Sequence, residues 1–232
     1  MTDRTLRLAH RGDWRRAPEN TLPALLAALE ISACDGLEFD VRASADGVPV
    51  LSHDETLERV HGRPDNVVDL SAAELAALGI PSLAEVLAAV PARAFLDIEL
   101  KGDPGVDAVV AIVDAARGRE PGSFAISSFT PATIDAIGHL RPDWHRWLNT
   151  VELSAGAVAT AATLGCRAIA AEWHSIDVPA VARARRAGLD VVAWTVTRPA
   201  TFERLSRIGV TAVCVEGAAL DGETYPRVEK GA

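Results

Sequence analysis

Short apolar runs alternate with amphipathic helical stretches along almost the whole chain, and this alternation limits the possible folds more than any other feature. The apolar runs, rich in Val, Ile, Leu and Phe, fall at 5–9, 36–41, 94–100, 123–127, 145–149, 167–171, 190–196 and 212–215. Their length and unbroken apolar character suit parallel strands covered on both faces. Helical patterns separate them at 21–33, 83–89, 106–116, 131–138, 154–164, 179–187 and 199–208. A further short strand at 48–52 follows the Asp46-Gly47 turn and is expected to pair back onto the second strand. This order predicts an α/β fold, a closed (β/α)8 TIM barrel, as a single domain over 1–232. From pattern alone, a doubly wound open sheet is the alternative. The segment 55–81 is less regular and reads as a loop with a short helix at 72–77, covering one mouth of the barrel.

The totals are compatible with that reading. A chain of 232 residues can form one undivided barrel, and its 49% apolar content supplies a core. Aromatic residues make up only 5%, so small and branched side chains must fill the interior. The net charge of −9 argues against nucleic acid as a partner, because a phosphate backbone needs a basic surface. It leaves room for a small anionic substrate held by a few local cations. The three cysteines, Cys34, Cys166 and Cys214, are odd in number and far apart. They predict buried free thiols rather than a disulfide framework or a zinc site. Residues 1–4 lead straight into the first strand, which leaves no room for a signal peptide. The Ala-rich stretch at 151–171 is broken by Glu152, Gly156, Gly165 and Arg167 and is no membrane span. A cytoplasmic protein is expected.

Chemistry-bearing residues recur where these strands end: His10 and Arg11, Glu38 and Asp40, His53, Glu99 and Lys101, then Asn149, Glu172 and Trp194. In barrels of this kind the site forms at the C-terminal ends of the strands. Strand side chains alternate, so Glu38 and Asp40 share one face, and Asp97, Glu99 and Lys101 share another. Three carboxylates, Glu38, Asp40 and Glu99, with no cysteine beside them suit a hard divalent cation, Mg²⁺ or Ca²⁺. His10 and His53 are the acid–base candidates, because imidazole can give and take a proton near neutral pH. Which of them is acid and which is base is not readable. His61, His139 and His145 read as surface or structural residues, and His174 is open between the two. Arg11 offers a bidentate fork to phosphate oxygens, and Lys101 adds a point charge. Asn20 is either a helix N-cap or a residue that orders the site. Together these are parts for metal-assisted phosphoryl chemistry.

In their order, the motifs His10-Arg11-Gly12, Pro18-Glu19-Asn20-Thr21, Glu38-Phe39-Asp40, Asp46-Gly47 with Val50-Leu51 and His53-Asp54, Ile98-Glu99-Leu100-Lys101 and Trp194-Thr195-Val196 resemble the glycerophosphodiester phosphodiesterase family. The resemblance covers nearly the whole chain and favours the barrel. It implies catalytic roles for His10 and His53, a metal held by Glu38, Asp40 and Glu99, and phosphate contacts from Arg11 and Lys101. It also implies a turn in which Glu19 holds Arg11 or His10, and a substrate-pocket role for Trp194. Glu19, Asn20, Glu172 and Trp194 are placed beside the substrate or behind the reacting groups, and Trp14 and Trp173 form an apolar rim. The implied substrate is a glycerophosphodiester, a deacylated phospholipid. The neighbouring glycerol hydroxyl would attack first, expelling the alcohol and giving a cyclic phosphate, which water then opens to glycerol 3-phosphate. A lysophospholipase D-type activity and a barrel that only binds phosphodiesters are the alternatives. The last strand departs from the family's pattern, with Val215, Glu216 and Ala218 where the family usually has Thr, Asp and Pro. This bears on how the last loop closes the barrel.

Overall fold

The computed structural model describes residues 4–118 and 121–222. Residues 1–3 and 223–232 of the single domain expected from the sequence therefore lie outside the described residues. The strands are β1 (Leu6–His10), β2 (Gly36–Ala43), β3 (Pro49–Leu51), β4 (Phe95–Leu100), β5 (Phe124–Ser128), β6 (Arg146–Thr150), β7 (Ala168–Glu172), β8 (Asp190–Val196) and β9 (Ala212–Val215). The helices are α1 (Leu22–Leu29), α2 (Glu58–His61), α3 (Ala72–Ala77), α4 (Leu83–Ala89), α5 (Val106–Arg117), α6 (Pro131–Leu140), α7 (Ala155–Thr163), α8 (Val178–Arg186), α9 (Pro199–Arg207) and α10 (Ala218–Asp221). Eight parallel strands run in sequence order around a closed barrel. β1 pairs with both β2 and β9, and β3 forms an antiparallel hairpin on β2. The open-sheet alternative is thereby excluded.

Each strand presents one face to the barrel axis and the other to the helices. Leu37, Phe39, Ile98, Ile126, Leu148 and Val213 belong to the large apolar layer between sheet and helices. Leu8, Ala125, Trp147, Ala168, Ala170, Val192, Ala212 and Cys214 fill the inside. The low aromatic content thus becomes a floor of mostly small side chains. Above it, toward the C-terminal strand ends, the inward positions turn polar. Among the described residues, no helix is long and apolar enough to cross a membrane. All three cysteines are free; Cys166 and Cys214 are buried and Cys34 is half-buried.

Two local outcomes differ from the sequence reading. Helix α1 stops at Leu29, short of the expected 33, because the chain turns there to enter β2 (Cys34 N–H donates to Ile31 O at 2.9 Å). The segment 55–81 has the expected short helix at 72–77, as α3, and is more ordered than expected around it. It adds α2 and a small core in which Leu57, Val67, Leu75 and Ile80 pack with Val50 of β3.

The turn after β1 sets the first site residues. Arg11 takes a left-handed backbone (φ 58°), a conformation that costs a non-glycine residue about 1 kcal/mol. It is pinned there by its N–H, which donates to Glu38 O at 2.8 Å. Gly12 follows at φ 86°, and a Cβ on it would lie 2.5 Å from the Ala24 carbonyl carbon. Gly12→Ala therefore forces β1 and α1 apart. Thermal or urea unfolding should show it destabilised by about 3 kcal/mol or failing to fold. A loss near zero would mean that this close approach is not required.

Candidate active site

Strand register brings the polar residues together. His10 lies beside Glu38, Glu38 beside Asp97, and Asp40 beside Glu99. One carboxylate oxygen from each of Glu38, Asp40 and Glu99 can be chosen so that all lie within 4.8 Å of one another, and all three residues are buried. At that spacing, with an effective dielectric near 20, each pair of ionised carboxylates repels by about 3 kcal/mol. Three such pairs would consume most of a typical domain's stability of roughly 5–15 kcal/mol, so the cluster requires countercharge.

Arg11 and Lys101 supply part of it. Arg11 Nε is 3.0 Å from Asp40 Oδ2, while Lys101 Nζ is 3.2 Å from Asp40 Oδ1 and also contacts Glu99. Burial pushes Asp40 up, but Arg11, Lys101 and His53 outweigh it and hold the carboxyl below its ordinary value. Glu38 goes the other way: burial, then the charges of Asp40, Glu99 and Asp97, push it well up. Burial and Asp40 likewise raise Glu99. Asp97, deeper on the same face of β4, is pushed to about 8 by burial, with Glu99 and Asp40 adding to it. Glu38 Oε1 is buried without a hydrogen bond, while Lys101 stands against Asp40 Oδ1 and Glu99 Oε1. Three buried carboxylates, each with an oxygen within 4.8 Å of the others, fit a divalent cation with oxygen ligands.

Two histidines face this cluster, and each is held from behind. His10 Nδ1 lies 2.5 Å from Glu216 Oε1, and its Nε2 is 3.8 Å from Glu38. His53 Nδ1 lies 2.6 Å from Asp54 Oδ1, and its backbone carbonyl accepts from Arg42 at 3.0 Å. Burial pushes the His53 imidazole below its ordinary value, and the nearby Arg11 and Lys101 charges act in the same direction. With Nδ1 committed to a carboxylate, Nε2 is the nitrogen each ring leaves for a ligand. His10, Arg11, Glu38, His53, Asp97, Glu99, Lys101, Asn149 and Trp194 line one cavity of about 270 Å³ at the C-terminal mouth. A second cavity, of about 350 Å³, opens at the opposite end around Leu6, Phe95 and Trp147 and contains none of the candidate residues.

A sequence profile of the glycerophosphoryl diester phosphodiesterase family matches residues 10–218. The chain belongs to that family. It is 28% identical to a glycerophosphodiester phosphodiesterase of Caldanaerobacter subterraneus subsp. tengcongensis, over 92% of this chain and 94% of the relative. Among solved structures, it is similar to an Oleispira antarctica phosphodiesterase in complex with the product sn-glycerol-3-phosphate (TM-score 0.82, 26% identity, 91% of this chain and 93% of that one). It is also similar to a glycerophosphodiester phosphodiesterase from Agrobacterium tumefaciens (TM-score 0.82, 25% identity, 95% and 100%).

Within this family framework, the expected supporting residues separate. Glu19 holds Arg11 (2.9 Å) and does not hold His10. Asn20 is not the N-cap; Thr21 caps α1, its hydroxyl accepting from Ala24 N–H. Asn20 is turned instead, at φ 56°, so that its amide donates to Asp40 Oδ2 at 2.9 Å and its carbonyl accepts from Asp40 N–H at 3.2 Å. Asn tolerates that conformation better than other non-glycine residues, and a sequence rule that expects caps does not anticipate it. Trp194 lies on the cavity wall and meets Phe129 edge-on, with centroids 5.5 Å apart. The Glu172 carboxylate turns onto the backbone N–H and ring of His174, away from the cavity lining. Trp14 and Trp173 are likewise not among the cavity's lining residues, and Trp173 borders a separate cavity with His174 and Arg198. The apolar side of the site is made by Phe129, Trp194 and Ala170.

Glu216, Phe129 and Arg59 were not singled out as site residues in the sequence. Glu216 was visible only as a departure in the last strand. Its role depends on β9 closing against β1, which the sequence does not display. The last loop nevertheless closes normally, with Glu216 N–H donating to Val196 O at 2.9 Å and Leu220 of α10 buried.

The crowding of carboxylates makes the metal-free site a source of instability. In protein stripped with EDTA, Glu38→Gln should raise stability by about 1–2 kcal/mol, or roughly 3–6 °C in Tm for a chain of this size. A lowered Tm would show that Glu38 is stabilised by its surroundings rather than strained by them.

Proposed function

We propose that this chain is a divalent-metal-dependent glycerophosphodiester phosphodiesterase. It would release glycerol 3-phosphate and an alcohol, with His10 and His53 exchanging the protons. One observation carries the reading: two histidines, each fixed at Nδ1 by a carboxylate, share a cavity with Glu38, Glu99, Arg11 and Lys101, and Asp40 converges with the two carboxylates beneath the cavity surface. Glu38, Asp40 and Glu99 would hold Mg²⁺ or Ca²⁺. When bound, the ion would draw electron density from the phosphoryl oxygens and offset the charge that builds on them. Arg11 would grip a phosphate oxygen, and Lys101 would stabilise charge in the transition state. One imidazole takes the proton of the attacking hydroxyl; the other protonates the departing alkoxide as the P–O bond breaks. Phe129 and Trp194 would wall the organic part of the substrate. The three free thiols support a cytoplasmic site of action.

Release of glycerol 3-phosphate from glycerophosphocholine tests this. The wild type should be active with Mg²⁺ or Ca²⁺, lose activity in EDTA, and regain it when metal is returned. His10→Ala and His53→Ala should each lose about 10²–10⁴-fold in kcat. The same ions should raise the wild-type Tm but not that of Asp40→Asn. Activity that survives EDTA or both alanine variants would sink the mechanism. Activity on lysophosphatidylcholine alone would move the substrate class.

Glu216→Gln keeps the size of the side chain but removes the charge behind His10. Burial raises the Glu216 carboxyl and its bond to His10 overcomes this, so it is held ionised, below its ordinary value. Steady-state kinetics should show kcat reduced by about 10–100-fold with KM little changed. Equal loss in the binding of a non-reactive phosphodiester would instead make it a binding residue.

A further inference from the structure

We infer that Arg59 is a positioning residue that locks His53 and Arg11 into one unit, an inference that rests on the phosphodiesterase reading above. Its guanidinium stands between two carboxylates, and each of them holds a side chain of the cavity. Arg59 Nε donates to Asp54 Oδ2 at 2.6 Å, and Asp54 Oδ1 holds His53 Nδ1. The two terminal nitrogens donate to Glu19, at 2.8 Å and 2.7 Å, and Glu19 Oε1 also accepts from Arg11. A continuous path of charged hydrogen bonds therefore runs from His53 through Asp54, Arg59 and Glu19 to Arg11.

An exposed ion pair alone contributes little to stability. Arg59, half-exposed on its side chain, differs from such a pair in what its partners touch. The geometry also requires arginine. Three N–H groups in one rigid plane satisfy three carboxylate oxygens, whereas a lysine offers a single nitrogen.

The local fold holds the backbone that presents this side chain. Arg59 sits on α2, a single turn ended by left-handed Gly62. Leu57, just before it, is buried in the small core with Val50, Val67, Leu75 and Ile80. Thr56 bridges to Asn66, and Leu57 N–H donates to Asp65 O at 2.9 Å. The irregular segment between β3 and α4 thus has enough burial to hold one exposed guanidinium in a fixed place.

Two measurements on the full chain test this. The first needs no substrate: imidazole ¹⁵N shifts of His53 and His10 in wild type, Arg59→Ala and Arg59→Lys. In Arg59→Ala the His53 signals should shift and broaden. Those of His10, which is held separately by Glu216, should not. The second is kinetic. Arg59→Ala should lose about 10–100-fold in kcat, recover several-fold with millimolar guanidinium, and be restored only in part by Arg59→Lys. On an Asp54→Asn background, Arg59→Ala should cost little more, because the link is already broken. Unchanged His53 signals, or kcat/KM within about threefold of wild type, would overturn the inference. If the wild type itself hydrolyses no glycerophosphodiester, the functional reading fails, and the His53 signals still decide whether Arg59 holds that ring.

Discussion

Three carboxylates buried within reach of one another are the interaction around which the upper half of this barrel is organised. Their mutual repulsion is comparable to the stability of a whole domain, so the surrounding residues are arranged to answer it. Arg11 adopts a left-handed backbone and leans on Asp40. Lys101 lies between Asp40 and Glu99. Asn20, also left-handed, hydrogen-bonds Asp40 from behind. The split between a depressed Asp40 and a raised Glu38 follows from which of them the two cations reach. A site built this way is poised to take up positive charge among the three carboxylates.

The two histidines solve a different problem, that of aim. An imidazole on a strand end or in a hairpin can rotate and can exchange tautomers. A carboxylate at Nδ1 removes both freedoms and leaves Nε2 for the ligand. The two supports come from distant parts of the chain, Glu216 after the last strand and Asp54 after the hairpin. Glu216 reaches His10 only because β9 returns to pair with β1. Closure of the barrel thus sets the support of His10 as well as the fold.

Much of this was legible in the residues. The apolar runs gave eight strands within a residue or two, since burial on both faces leaves an unmistakable pattern. The spacing of Glu38 and Asp40 gave their shared face, because the period of a strand is fixed. Residues whose role depends on a second segment were harder. Asn20 was open between a cap and a residue that orders the site, and only the position of β2 shows that its amide serves Asp40. Glu172 stands at a strand end like the others but turns outward onto His174. Phe129 follows β5 with no motif to mark it, and the Trp194 ring it meets is 65 positions away in the chain.

The sequence by itself determined the repeat of strand and helix, the chemical types available at each strand end, and the face each strand residue would take. Those are local consequences of periodicity and burial, and the motif order was enough to show the family. Only the tertiary structure decided which groups become neighbours. Parallel register set Asp40 beside Glu99, closure set Glu216 behind His10, and a small satellite core carried Arg59 between Asp54 and Glu19. Electrostatic and hydrogen-bond energies fall off over a few ångströms, so they are fixed by distances in space, which positions along the chain do not specify.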